Sequence, residues 1–151
     1  MIEVLERGRF LNNTVNIDEV LILDHLQRKK GRQKVTAQSG HVIALFLERG
    51  KTLLIGEVLR SVCGRCIRID GAKESVVTAS SLENRLLTRS AYHLGNRHAI
   101  VQLGDGWLRF KYDHVLEALM QRFGLSTCRE SVVFEPEEGA YSSAPAHSHE
   151  C

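Results

Sequence analysis

No uninterrupted apolar run in these 151 residues approaches the roughly 20 that a helix needs to cross a bilayer. The first residues, Met1-Ile2-Glu3-Val4-Leu5-Glu6-Arg7, lack the basic and then apolar pattern of a secretory signal, so the chain is expected to be soluble and cytoplasmic. One-sided charge is also missing. A formal net charge of +2 gives no global field toward nucleic acid or membrane. Cysteine is scarce, with Cys63, Cys66, Cys128 and Cys151 too few for a disulfide scaffold, and a reducing compartment leaves them as thiols. What remains is 43% hydrophobic and 25% charged, enough to bury a core in one ordinary domain or two small ones.

The first seventy or so residues read as short strands punctuated by glycine. Candidates are 41–47 after Gly40, 52–55 after Gly50, Val58 and Leu59 after Gly56, and Ile67 to Ile69 before Asp70-Gly71. This predicts a small all-β domain over residues 1–72. Beyond a break near 70–74 the punctuation lengthens. Val76 to Ala79 form a fresh strand, and Ser80 with Glu83 has the form of a capping box opening a helix from about Ser81 to Leu94, which Gly95-Asn96 would stop. Two strands, 99–103 and 107–112, follow around the hairpin signal Gly104-Asp105-Gly106. An Asp113-capped helix then runs to Gly124, and Ser131 to Phe134 give a last strand. The order βαββαβ over 73–136 is the ferredoxin-like unit, and the overall class is α+β. Residues 137–151, rich in Glu, Ser, Ala and Gly, are expected to be a flexible tail.

The chemistry concentrates in imidazoles. Tyr92-His93-Leu94-Gly95-Asn96-Arg97-His98 places two histidines five apart, which on a continuous helix is about 140° and unsuited to sharing a metal. His93, near the helix end, reads as a packing or hydrogen-bonded residue. His98, on the exit turn, is free to present its ring. One imidazole does not hold a metal, since tetrahedral sites need about four ligands and octahedral sites about six. A two-fold axis through His98 would supply a second ring at once. The tail offers His147 and His149, two apart and on one side of an extended chain, followed by Glu150 and Cys151. His114, in the first turn of the second helix, sits where the dipole disfavours a protonated ring and leaves the imidazole available as a ligand. Cys63-Gly64-Arg65-Cys66 has the form of a redox or zinc motif. It lacks both the following helix of the first and the second ligand pair of the other, so a structural role is expected, with an auxiliary metal site as the alternative.

The string His93-Leu94-Gly95-Asn96-Arg97-His98, then Asp113-His114-Val115-Leu116, Phe123-Gly124-Leu125, 134–141 and a histidine-bearing end, resembles the UreE family of urease accessory proteins. Weaker marks extend the likeness through Asp24, Arg28, Gly31-Arg32, Gly40 and 53–59. The resemblance implies a homodimeric nickel chaperone that delivers Ni²⁺ to apo-urease beside the GTPase UreG. A peptide-binding-like β domain would precede a ferredoxin-like metal-binding domain. By position, His98 matches the metal-binding histidine at the dimer interface and His114 a secondary one, and Tyr112 stands where some members carry another. The short tail, with His147 and His149, argues against storage of many ions and for one interfacial nickel per dimer. Zn²⁺ or Cu²⁺ also suit imidazole donors.

Two other classes compete. βαββαβ is also the topology of an RNA-recognition domain, and Arg28 to Lys34 is a basic cluster, yet 107–112 does not match the aromatic pattern of RNA-binding strands. The basic run suits an edge strand instead. Gly50-Lys51-Thr52 resembles the end of a phosphate-binding loop, but Leu45 stands where that loop needs glycine, and there is no nucleophile elbow or organised triad, so no enzyme is expected.

Overall fold

The computed structural model describes residues 1–10 and 16–139. The chain divides into two compact units, Met1–Gly71 and Ala72–Glu137.

The N-terminal unit holds two sheets. Strands β1 (Ile2–Val4), β5 (Val42–Phe46) and β4 (Arg32–Thr36) make the three-stranded sheet, in that order. Strands β2 (Glu6–Phe10), β6 (Glu57–Arg60), β7 (Cys66–Gly71) and β3 (Glu19–Leu23) make the four-stranded one. Both sheets contribute to one buried cluster that includes Val4, Ile43 and Leu45 from the first and Leu21, Leu59, Ile67 and Ile69 from the second. The expected all-β unit contains one short helix, α1 (His25–Lys29). Asp24 and Gln27 cap it reciprocally, Asp24 Oδ1 accepting from the Gln27 amide at 2.8 Å while Gln27 Oε1 accepts from the Asp24 amide at 3.0 Å. The expected strand over 52–55 is a loop, because its amides are used elsewhere. Leu53 N–H donates to Arg28 O at 2.9 Å, and Leu54 N–H donates to Glu57 Oε1 at 3.1 Å. The same buried Glu57 carboxylate accepts a fork from Arg7, with Nε at 2.6 Å.

The C-terminal unit has the ferredoxin-like order. β8 (Lys73–Ser80), α2 (Asn84–Asn96), β9 (Gln102–Gly104), β10 (Trp107–Lys111), α3 (His114–Arg122) and β11 (Ser126–Val133) follow in sequence, and the sheet runs β11-β8-β10-β9 with every adjacent pair antiparallel. Alternation along the central strands puts Val77, Ala79, Leu108 and Phe110 on one face, where Leu94 of α2 and Met120 of α3 complete the core. The β9–β10 turn needs glycine at 104, since a Cβ there would lie 2.0 Å from the Trp107 indole.

Three boundaries differ from the sequence expectation. Ser80 belongs to β8, paired with Trp107 and Ser126, so no Ser80–Glu83 capping box forms and α2 starts later, behind Glu83. β9 is confined to Gln102–Gly104, because Ala99 N–H turns back to Leu94 O and Val101 O accepts from Glu137 N–H. β11 begins five residues earlier than expected, at Ser126. Its first turns of sequence are polar because it is an edge strand with one side open.

Candidate metal site

Helix α2 ends at Gly95-Asn96, as expected, with Arg97 as its cap, but both residues keep helical geometry and the left-handed residue comes two positions on. His98 N–H donates to Gly95 O and Ala99 N–H to Leu94 O, each at 3.0 Å. These are the paired bonds of a Schellman motif, and Ala99 packs on the same core as Leu94. The motif demands a left-handed residue after the cap, the place usually given to glycine. Here it is His98, at φ 57, the one non-glycine residue with positive φ among the described residues. A side chain in that conformation costs roughly 1 kcal/mol. The ring is exposed, and no hydrogen bond from a described residue occupies it.

The other candidates fall into three groups. His93, half-buried, packs as expected, its ring 5.0 Å from that of Phe123 and edge-on to Tyr92 at 5.3 Å. His114 is exposed at the first position of α3, just after Asp113, whose carboxylate accepts from the Val115 and Leu116 amides at 2.9 and 3.1 Å. Tyr112 lies under the Arg129 guanidinium, 4.7 Å from ring centroid to Cζ, and Arg129 forks onto Glu117. That pairing holds the Glu117 carboxyl below the usual carboxylate range. His147, His149 and Cys151 lie outside the described residues.

The root of the tail is described. Beyond β11 the chain turns back, with Phe134 and Pro136 buried. Glu135 N–H donates to Gln102 Oε1 at 3.1 Å, and Glu137 N–H to Val101 O at 2.8 Å. Val101 is three residues from His98, so their Cα atoms are at most about 11 Å apart. This return was missed from sequence, although Pro136 between two acidic residues is the kind of punctuation that could have marked it.

Cys63 and Cys66 occupy the β6–β7 hairpin. Cys63 Sγ lies 3.1 Å from Ser61 Oγ, a bond that holds the thiol below its ordinary range. Cys66 begins β7, in register with Arg60. Among the described residues no three His, Cys, Asp or Glu side chains come together to hold a metal ion.

The sheet face of the RNA-recognition alternative is also defined. Arg109 stacks over Trp107 at 4.4 Å, donates to Thr78 Oγ1 at 2.9 Å and reaches Glu130 at 3.3 Å, while Lys111 pairs with Glu74 at 3.2 Å. Its cations are neutralised within the face.

Family comparisons agree on both halves of the chain. Residues 2–72 match the N-terminal domain of the UreE urease accessory protein, and residues 74–151 match its C-terminal domain. The chain is 48% identical over 134 residues to the urease accessory protein UreE of Alteromonas mediterranea, covering 89% of this chain and 86% of that one. It is 43% identical to the UreE of a Marinomonas species, over 97% and 99% of the two chains, and 44% identical to that of Psychromonas ingrahamii, over 99% and 97%. With both domains matched and relatives aligned nearly end to end, this chain belongs to the UreE family of urease accessory proteins, which are not enzymes.

Proposed function

We propose that the protein is a urease-maturation chaperone that binds Ni²⁺ between two copies of itself and delivers it to apo-urease, working in the cytoplasm beside the GTPase UreG. The observation that carries this reading is His98, an exposed imidazole without a hydrogen-bond partner among the described residues, on a left-handed backbone position that glycine would occupy at lower energy. Strain of this kind is tolerated where a ligand contact gives a return. The family supplies the urease connection.

Imidazole is a borderline donor suited to Ni²⁺, and two copies of His98 across a two-fold axis give two such donors. The remaining positions fall to His147 and His149, with His114 as a secondary donor. The anchoring of Glu137 on Val101 supports this division, because the tail of each protomer then starts near its own His98. Ordering the tail costs about 1 kcal/mol per residue fixed, which holds affinity at a level compatible with release. No helix is long and apolar enough to cross a membrane among the described residues. In this reading residues 73–136 are the metal-binding domain, 1–72 a peptide-binding-like domain and 137–151 the metal-binding tail. Zn²⁺ and Cu²⁺ compete for the same rings.

Titration calorimetry with Ni²⁺ tests the proposal. One tight ion per dimer is expected, lost in His98→Ala. A strictly monomeric protein in the presence of nickel, or unchanged binding by the variant, would reject it.

A further inference from the structure

The charge of the chain is close to balanced overall but not locally. Between Asp24 and Glu48 there is no acidic residue, while Arg28, Lys29, Lys30, Arg32 and Lys34 fall within one short stretch. Lys29 and Lys30 close helix α1, and Arg32 and Lys34 lie on β4, an outer strand of the three-stranded sheet. Lys29, Lys30, Arg32 and Lys34 are exposed, and none forms an ion pair with a described residue. The corner that presents them is fixed. Gly31 is buried with its carbonyl bonded to the Leu47 amide at 2.6 Å, and a Cβ at Gly31 would lie 2.6 Å from Leu47 O. The Gln33 side-chain amide donates to Gln27 O at 2.5 Å, tying β4 to α1.

We propose that the open edge of β4 receives an extended acidic peptide of a partner protein, added as a fourth strand. Side chains on β4 alternate, with Arg32, Lys34 and Thr36 exposed and Gln33 and Val35 half-buried, Val35 packing on the core. An added strand with carboxylates at every second position sets them opposite Arg32 and Lys34, while its intervening apolar side chains extend the row begun by Val35. Lys29 and Lys30 supply further attraction at one end. A second copy of this chain is the wrong occupant, since pairing β4 with itself sets cation against cation. Single-stranded nucleic acid is disfavoured too, because no aromatic residue interleaves with the cations of 28–34 to stack a base. The inference rests on the proposed reading of residues 1–72 as a peptide-binding-like domain and uses none of the proposed metal ligands.

The test is fluorescence anisotropy on the full chain with a labelled peptide Thr-Glu-Val-Glu-Val-Glu-Thr. A second peptide of the same composition, Thr-Glu-Glu-Glu-Val-Val-Thr, serves as control and oligouridylate as competitor. The alternating peptide should bind several-fold more tightly than the blocked one. R32E/K34E should weaken it by about tenfold, with R32A/K34A as the milder variant should the charge reversal disturb folding. Hydrogen exchange of the amides from Arg32 to Thr36 should slow in the complex. Equal binding of the two peptides, no binding, protection elsewhere, or displacement by oligouridylate at lower concentration than by unlabelled peptide would each overturn the proposal.

Discussion

His41 and His98 are both solvent-facing histidines on connections that lead into a strand, one in each compact unit, and they are held in opposite ways. In the N-terminal unit the left-handed position is taken by Gly40, at φ 94, and His41 beside it bonds through Nδ1 to the buried Glu19 carboxylate at 2.6 Å. Ser39 and Arg65 converge on the same carboxylate. In the C-terminal unit the left-handed residue is the histidine itself, and its ring has no hydrogen-bond partner among the described residues. The first arrangement is what folding stability alone selects: a glycine where the backbone needs one and a polar ring bonded to a carboxylate. The second accepts strain, and among the described residues no partner takes its ring. That contrast is what the proposed metal role of His98 would produce.

The sharpest way to press the comparison is to damage the N-terminal unit alone. Glu57→Ala leaves the Arg7 guanidinium without its buried partner and should destabilise that unit by about 3 kcal/mol or more, read by urea unfolding. Nickel affinity of the folded fraction should be unchanged. Lowering the pH separates the two histidines next. Nickel affinity should fall as pH drops through the imidazole range near 6.5, because the ligands must be neutral. Glu19 is different. The Ser39 hydroxyl bond, followed by the His41 bond, holds its carboxyl below the usual range, so its stabilising contribution is present at neutral pH and is lost only as pH falls through that lowered value. Circular dichroism should therefore report an intact N-terminal unit at pH values where nickel has already been released. A version ending at Pro145, without His147 and His149, should bind nickel about tenfold more weakly at unchanged stoichiometry, measured by calorimetry. The smallest change belongs to His114→Ala, an exposed secondary donor, with an expected loss of roughly two- to fivefold in the same measurement.

Much of this was legible beforehand where local chemistry and tertiary demand agreed. Asp113 caps α3 as its position suggests, and the βαββαβ order follows from the glycine punctuation and the periodicity between. The failures lie where distant partners won. Ser80 looks like a cap, but Trp107 and Ser126 claim it for the sheet. Residues 52–55 look like a strand, but Arg28 and Glu57 take their amides. Helix α1 was overlooked although Asp24 and Gln27 spell out its capping box. The candidate site shows the same division. Imidazole content points to His98 and Gly95-Asn96 marks the helix end, but only the backbone bonds to Gly95 and Leu94 show that His98, and not a glycine, takes the left-handed place after the cap. The proximity of the tail root to His98 depends on Glu137 reaching Val101 across 36 positions of sequence, which no local pattern encodes.

The most direct measurement takes two readings on one variant, His98→Gly: its melting temperature and its nickel affinity. Glycine relieves the left-handed strain, offset in part by its greater freedom in the unfolded chain, so stability should be equal to that of the parent or higher by up to about 1 kcal/mol. Tight nickel binding should disappear. A glycine variant that melts several degrees lower, or one that still binds nickel like the parent, would contradict the claim that this strained position is maintained for the metal.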